Sequence, residues 1–118
     1  MKNSHSFTEI KIHLVLKTTR CIPFGEIKPQ VEYWVKKSLA RFEVNVIKFG
    51  IADNHIHLLF ELHPSSCLSD LIDKIKSNSS LNLNKYFSTQ WPGWRRGYWC
   101  ASVGGSSLSR VKKYISNQ

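Results

Sequence analysis

In the stretch IKIHLVLK, apolar and polar positions alternate: Ile10, Ile12, Leu14 and Leu16 fall on one side, and Lys11, His13, Val15 and Lys17 on the other. A period of two over eight residues predicts a half-buried strand. The turn-rich segment TRCIPFGEIKP follows. Pro29 then suits the first turn of a helix. Val31, Trp34, Val35, Leu39 and Phe42 recur at helical spacing, so an amphipathic helix is expected over about 28 to 42. EVNVIKFGI is β-branched and apolar, ADN is a tight turn, and HIHLLFEL alternates again. Those features predict a hairpin, with Ile56, Leu58, Phe60 and Leu62 on the core side and His55, His57, Leu59 and Glu61 on the other.

HPSSC breaks the second arm of the hairpin and offers Ser65 or Ser66 as a helix cap. Leu68, Leu71, Ile72 and Ile75 form the stripe of a second helix running to about 87, with an interruption expected near SNSS. QWPGWRRG reads as a loop, YWCASV as a fourth strand and GG as its end. A last helix, LSRVKKYISNQ, is expected behind Ser106 or Ser107 as cap. The order is β-α-β-β-α-β plus a helix. It predicts an α+β, ferredoxin-like fold: a four-stranded antiparallel sheet with two helices on one face. Residues 1–118 read as one domain.

Composition adds little to this picture, but charge adds more. No apolar run approaches the roughly 20 residues of a membrane span, and the N-terminus lacks the apolar core of a signal peptide. A cytoplasmic protein with no membrane partner is therefore expected. Cys21, Cys67 and Cys100 are odd in number and widely spaced, which argues for reduced, mostly core thiols rather than a disulfide or zinc framework. Lys plus Arg is 17 against 8 for Asp plus Glu, a net charge of +9. Such an excess draws in polyanions, and the four Trp, four Tyr and six Phe supply surfaces on which bases stack. The basic residues favoured for DNA contact are Lys17, Arg20, Lys74, Lys76, Arg95 and Arg96. Trp91, Trp94 and Trp99 are candidates for stacking, with Trp99 equally suited to the core.

His55 and His57 share one side of their strand, roughly 6 to 7 Å apart along it, so two ring nitrogens can converge on one cation. A pair of hydrogen-bonded or solvated strand histidines is the plainer alternative. In the last helix Tyr114 and Gln118 are i and i+4 and share a face, beside a packing stripe of Leu108, Val111 and Ile115. Gln118 could supply an oxygen as third metal ligand. Tyr114 could act as a nucleophile if a cation on the scissile group and Arg110, Lys112 or Lys113 assist it. His13 falls on the same sheet face as the paired histidines.

These segments resemble the single-tyrosine HUH transposases of small bacterial and archaeal insertion sequences, the REP-associated tyrosine transposases among their relatives. DNHIHLLFEL is similar to their His-hydrophobic-His strand, and SVGGSSLSRVKKYISNQ to their block of fourth strand, double glycine and tyrosine helix ending in Tyr-x-x-x-Gln. KIKSNSSLNLNKYF resembles their basic, serine-containing helix, and IKIHLVLKTTRCIPF their first strand and turn. Asn54 stands where those relatives usually carry an acidic residue, with Asp53 one position further back.

The resemblance implies a transposase that cleaves and rejoins single-stranded DNA. Tyr114 would attack the phosphodiester and leave a 5′-phosphotyrosine link and a free 3′-OH. His55, His57 and Gln118 would bind one divalent ion, Mg²⁺ or Mn²⁺. It also implies hairpins at the element's ends as targets, and a homodimer whose active sites are shared between subunits. Two other functions fit the residues: an HUH nickase serving another mobile or repeat element, and a non-catalytic module binding single-stranded nucleic acid.

Overall fold

The computed structural model describes residues 10–42 and 44–117. Strands β1 (Ile10–Lys17), β2 (Val44–Ile51), β3 (His55–Leu62) and β4 (Trp99–Ser102) form one antiparallel sheet in the order β2-β3-β1-β4. Helices α1 (Lys28–Leu39), α2 (Leu68–Phe87) and α3 (Leu108–Ser116) complete the chain. This is the ferredoxin-like order that the alternating patterns predict.

One sheet face carries the main core. Ile12, Leu14 and Leu16 of β1 and Ile56, Leu58, Phe60 and Leu62 of β3 are buried there. Val31, Val35 and Leu39 of α1 and Leu71, Ile72, Ile75 and Leu83 of α2 cover them. These are the apolar stripes of both helices, and burying them stabilises the helices more than propensity does. Phe24, Ile27 and Trp91 close the layer from the connecting segments.

The other face is where strand alternation alone misleads. β1 is not half-buried: His13 and Val15 are buried as well, as are His57 and Leu59 of β3. Helix α3 lies over this face. It packs against β2, buries Ile115 and sets Tyr114 beside His57.

Several local expectations change for physical reasons. α1 stops at Leu39, and Phe42 packs on the core from the turn beyond it. Neither Ser65 nor Ser66 caps α2. Cys67 holds the cap position without a side-chain bond, and the Ser65 hydroxyl pairs with His63 Nδ1 at 2.6 Å. Ser107 precedes α3 likewise without a capping bond, at the end of a 3₁₀ turn. Cys21 and Cys67 are exposed rather than in the core.

α2 runs through SNSS without a break. Buried Ser79 donates to the Ile75 carbonyl at 2.6 Å, the back-bond that a mid-helix serine can make. Its oxygen also accepts the Trp94 indole N–H at 3.0 Å, and Ser80 accepts that of Trp91 at 3.1 Å. The serines are therefore the polar partners of two packed tryptophans.

Those bonds are part of a wider fastening of residues 91–97. Thr19 N donates to Gly93 O at 2.9 Å, where Gly93 takes φ +93, and Arg95 N donates to Lys17 O at 2.8 Å. Lys76 Nζ donates to the carbonyls of Arg95 and Gly97, both at 2.9 Å. Thr18, fully buried, ties the start of this turn to Ile22 and Asn54.

Removing the Ser79 hydroxyl should leave the Trp94 indole N–H unsatisfied in a buried place. Ser79→Ala is expected to cost about 1–3 kcal/mol of stability, read as a lower urea midpoint at unchanged slope.

Candidate active site

β3 begins directly after the ADN turn, so His55 and His57 emerge at the end of the sheet beside the end of β1. The register pairs His57 with Val15 and His55 with Lys17. Side chains of paired residues share a face, as do their diagonal neighbours. His13 is two residues from Val15, which makes it the diagonal neighbour of His57. Its Nε2 lies 2.9 Å from His57 Nδ1, and the ring centroids are 5.1 Å apart. Both imidazoles are buried, with 7% of His13 and 3% of His57 accessible. Burial pushes the His13 pKa below the usual histidine value, because a charged ring there would lose its hydration. That ring is neutral near pH 7.

His55 is held separately. Asn54 Nδ2 points to the Cys21 carbonyl at 3.4 Å, which turns Oδ1 towards His55 Nδ1 at 2.8 Å. An amide oxygen only accepts, so His55 Nδ1 donates to it. The His55 and His57 rings meet edge-on with centroids 4.9 Å apart. Asp53 takes no part: its carboxylate pairs with Lys28 Nζ at 3.0 Å.

Tyr114 comes to this cluster from α3. Its ring stands edge-on to His57 at 5.3 Å and to His13 at 6.3 Å, while 54% of the residue remains open to solvent. A cavity of about 650 Å³ is lined by the three histidines, Asn54, Trp99 and Tyr114. An exposed phenol thus stands beside two strand imidazoles. The donor set fits a divalent cation: two imidazoles, one held at Nδ1 by an amide and the other by a third histidine. No group of three or more His, Cys, Asp or Glu side chains gathers for a metal among the described residues, so further ligands would come from other groups. Gln118, the expected third ligand, lies outside the described residues.

Of the three tryptophans expected to be able to stack bases, only Trp99 stands open at the site. Trp91 is buried in the core, and Trp94 is partly buried and bonded to Ser79. Trp99 is 52% exposed at the cavity, edge-on to His13 at 5.2 Å. Among the basic residues, Lys17 lines the cavity, and a neighbouring hollow joins Lys17 to Arg95, Arg96, Tyr98 and Trp99. Arg20 stands in the adjoining turn. Arg20 and Cys21 take φ of 51° and 58° there, a conformation costly for residues with a Cβ and concentrated at functional sites. Lys74 and Lys76 lie apart on α2, with the Lys76 ammonium committed to loop carbonyls.

Residues 6–118 match the family model of transposases like that of IS200. The chain belongs to this family. It is 27% identical to the transposase of insertion sequence IS200 from Salmonella typhimurium, over 98% of this chain and 80% of that protein. It is 21% identical to the ISDra2 transposase TnpA of Deinococcus radiodurans, over 100% of this chain and 91% of that protein. Two solved structures share the fold. A putative transposase from Deinococcus radiodurans superposes with TM-score 0.76 at 18% identity, covering 100% of this chain and 98% of that one. A REP-associated tyrosine transposase bound to a REP hairpin gives TM-score 0.71 at 12% identity, covering 92% of this chain and 64% of that one. As an IS200-like transposase, the chain is a DNA-processing enzyme of transposition. No described helix is long and apolar enough to cross a membrane.

Asn54→Leu keeps the side chain's size but removes the acceptor that orients His55. Affinity for Mn²⁺, measured by calorimetry, is expected to fall about 10-fold or more, the usual cost of losing a residue that orients a metal-binding histidine.

Proposed function

We propose that this transposase cleaves and rejoins single-stranded DNA through a covalent tyrosine intermediate at the cavity of His55, His57 and Tyr114. The observation that carries the reading is the placement of the Tyr114 ring against His57, on the sheet face where the paired histidines lie. Fold topology does not require a tyrosine there.

In this reaction the Tyr114 oxygen attacks the scissile phosphorus and gives up its proton. The bond from phosphorus to the 3′ oxygen breaks, and that oxygen leaves as a 3′-OH. The 5′-phosphate remains on Tyr114, so the energy of the phosphodiester is kept in the ester and no ATP is consumed. A 3′-OH from another strand reverses the step and joins DNA. His55, His57 and Gln118 are the proposed ligands of a divalent cation, Mg²⁺ or Mn²⁺, which when bound would draw electron density from the phosphate oxygens. Lys17, Arg95 and Arg96 offer cationic heads for the flanking phosphates, and Trp99 an open ring on which a base can stack. Arg20 adjoins them from the strained turn. Hairpin ends of an insertion sequence are the proposed substrate. The solved relative bound to a REP hairpin supports a folded DNA partner of this kind.

The proposed assembly is a homodimer with active sites shared between subunits. Within one chain Tyr114 already faces the histidines of its own sheet, so sharing would require the two copies to exchange α3. Mixing Tyr114→Phe chains with His57→Ala chains should restore cleavage only if the site is completed across subunits. A non-catalytic binder of single strands would use the same Trp99, Lys17 and Arg96 surface. A labelled single-stranded oligonucleotide carrying the DNA that flanks the gene, incubated with Mn²⁺ and resolved on a denaturing gel, separates the two. The expected result is a protein–DNA adduct that Tyr114→Phe and chelation both abolish, with unchanged affinity of the variant for DNA. Equal binding by both proteins with no adduct from either would sink the tyrosine mechanism.

A further inference from the structure

The most telling group outside the expected site residues is His13. It belongs to neither the His-x-His pair nor the tyrosine helix, yet it touches members of both. Its ring lies against His57, Tyr114 and Trp99. Its short polar contact is specific: His13 Nε2 to His57 Nδ1, 2.9 Å. A hydrogen bond between two neutral imidazoles needs one nitrogen to donate and the other to accept. Two arrangements are therefore available, and they differ in what His57 offers at its other nitrogen.

We infer that His13 is a positioning residue that accepts a hydrogen bond from His57 Nδ1–H and so fixes His57 in the tautomer whose Nε2 lone pair can ligate a cation. The role rests on the metal reading of the site given above. It makes the two ligand rings equivalent. His55 is held at Nδ1 by the Asn54 amide oxygen at 2.8 Å, and His57 at Nδ1 by His13 Nε2 at 2.9 Å. In each case the nitrogen nearer the backbone is used for orientation, which puts the proton on Nδ1 rather than on Nε2. Metal-binding histidines commonly donate their second ring N–H in this manner, which sets tautomer and ring angle together. The usual partner is a carboxylate or carbonyl. None of the described acidic side chains fills that role here: Asp53 is engaged by Lys28, and Glu61 by Lys11 and Asn45.

The β1–β3 register explains why the partner comes from β1. With Val15 opposite His57, the diagonal position on the same face is His13, within reach of a long side chain. A β1 shifted by one residue would turn His13 to the main core and leave Nδ1 of His57 without it.

The test reads tautomer and metal affinity separately. Long-range ¹H–¹⁵N correlation spectra of the unsubstituted chain, without metal or DNA, should show His57 protonated at Nδ1. His13→Phe keeps a flat ring of similar reach but cannot accept, whereas His13→Gln offers an amide oxygen in its place. The Phe variant should lose the single Nδ1–H tautomer of His57 and bind Mn²⁺ about 10- to 100-fold more weakly. The Gln variant should recover both, with melting temperatures recorded alongside. A structural role alone would lower the melting temperature without moving the tautomer. His57 protonated at Nε2 in the unsubstituted chain overturns the inference, and this holds even if His13→Phe does not fold. So does an unchanged tautomer and Mn²⁺ affinity in His13→Phe. Failure of the unsubstituted chain to bind Mn²⁺ while His57 is protonated at Nδ1 overturns the ligand role of His57, and with it the metal reading rather than the contact.

Discussion

The antiparallel register of β1 against β3 is the constraint on which the site depends. It places Val15 across from His57 and Lys17 across from His55, and thereby sends His13, His55 and His57 to one face while Leu14, Ile56 and Leu58 go to the other. Side chains alternate with a period of two, so a slip of β1 by one residue would turn His13 under α1 and α2 and take Leu14 and Leu16 out of the core. The fully buried residues of the main core hold the register against that slip. Core packing and site assembly are thus the same event: the apolar residues that stabilise the sheet also fix which imidazole meets which.

A second layer of order comes from residues 91–97. This segment has little regular structure, yet it is bonded to β1, to the turn after β1 and to α2. Trp91 reaches the core, Trp94 reaches Ser79, and the chain then turns into β4, where Trp99 opens onto the cavity. The basic and serine-rich character of α2 follows from this arrangement. Lys76 and the two serines hold a loop, and the loop positions Arg95 and Arg96 in the hollow beside Lys17 and Trp99.

α3 decides whether the histidines sit on an open sheet or in a site. It buries Ile115, covers the face that β-strand alternation leaves half polar, and holds Tyr114 edge-on to His57. The tyrosine stays about half exposed although its ring meets both His57 and His13 edge-on.

Much of this was legible in the chain. Alternation gave β1 and β3, since the two-residue period is a local consequence of backbone geometry, and β-branched apolar content gave β2. Helical spacing gave α1, α2 and α3. The His-x-His pair and the Tyr-x-x-x-Gln ending are short-range patterns that need no folding to be seen. What the tertiary structure decided were pairings between distant residues. His13 and His57 are 44 positions apart, and their contact depends on a register that no local pattern encodes. The serines of SNSS look like helix breakers until their indole partners arrive from the loop. Trp91 and Trp99 differ in burial although both lie near the end of the chain, because one falls behind the sheet and the other on the site face. Sequence determines the kinds of element and the chemistry available; burial, tautomer and partner come only when the packed sheet brings separate segments together.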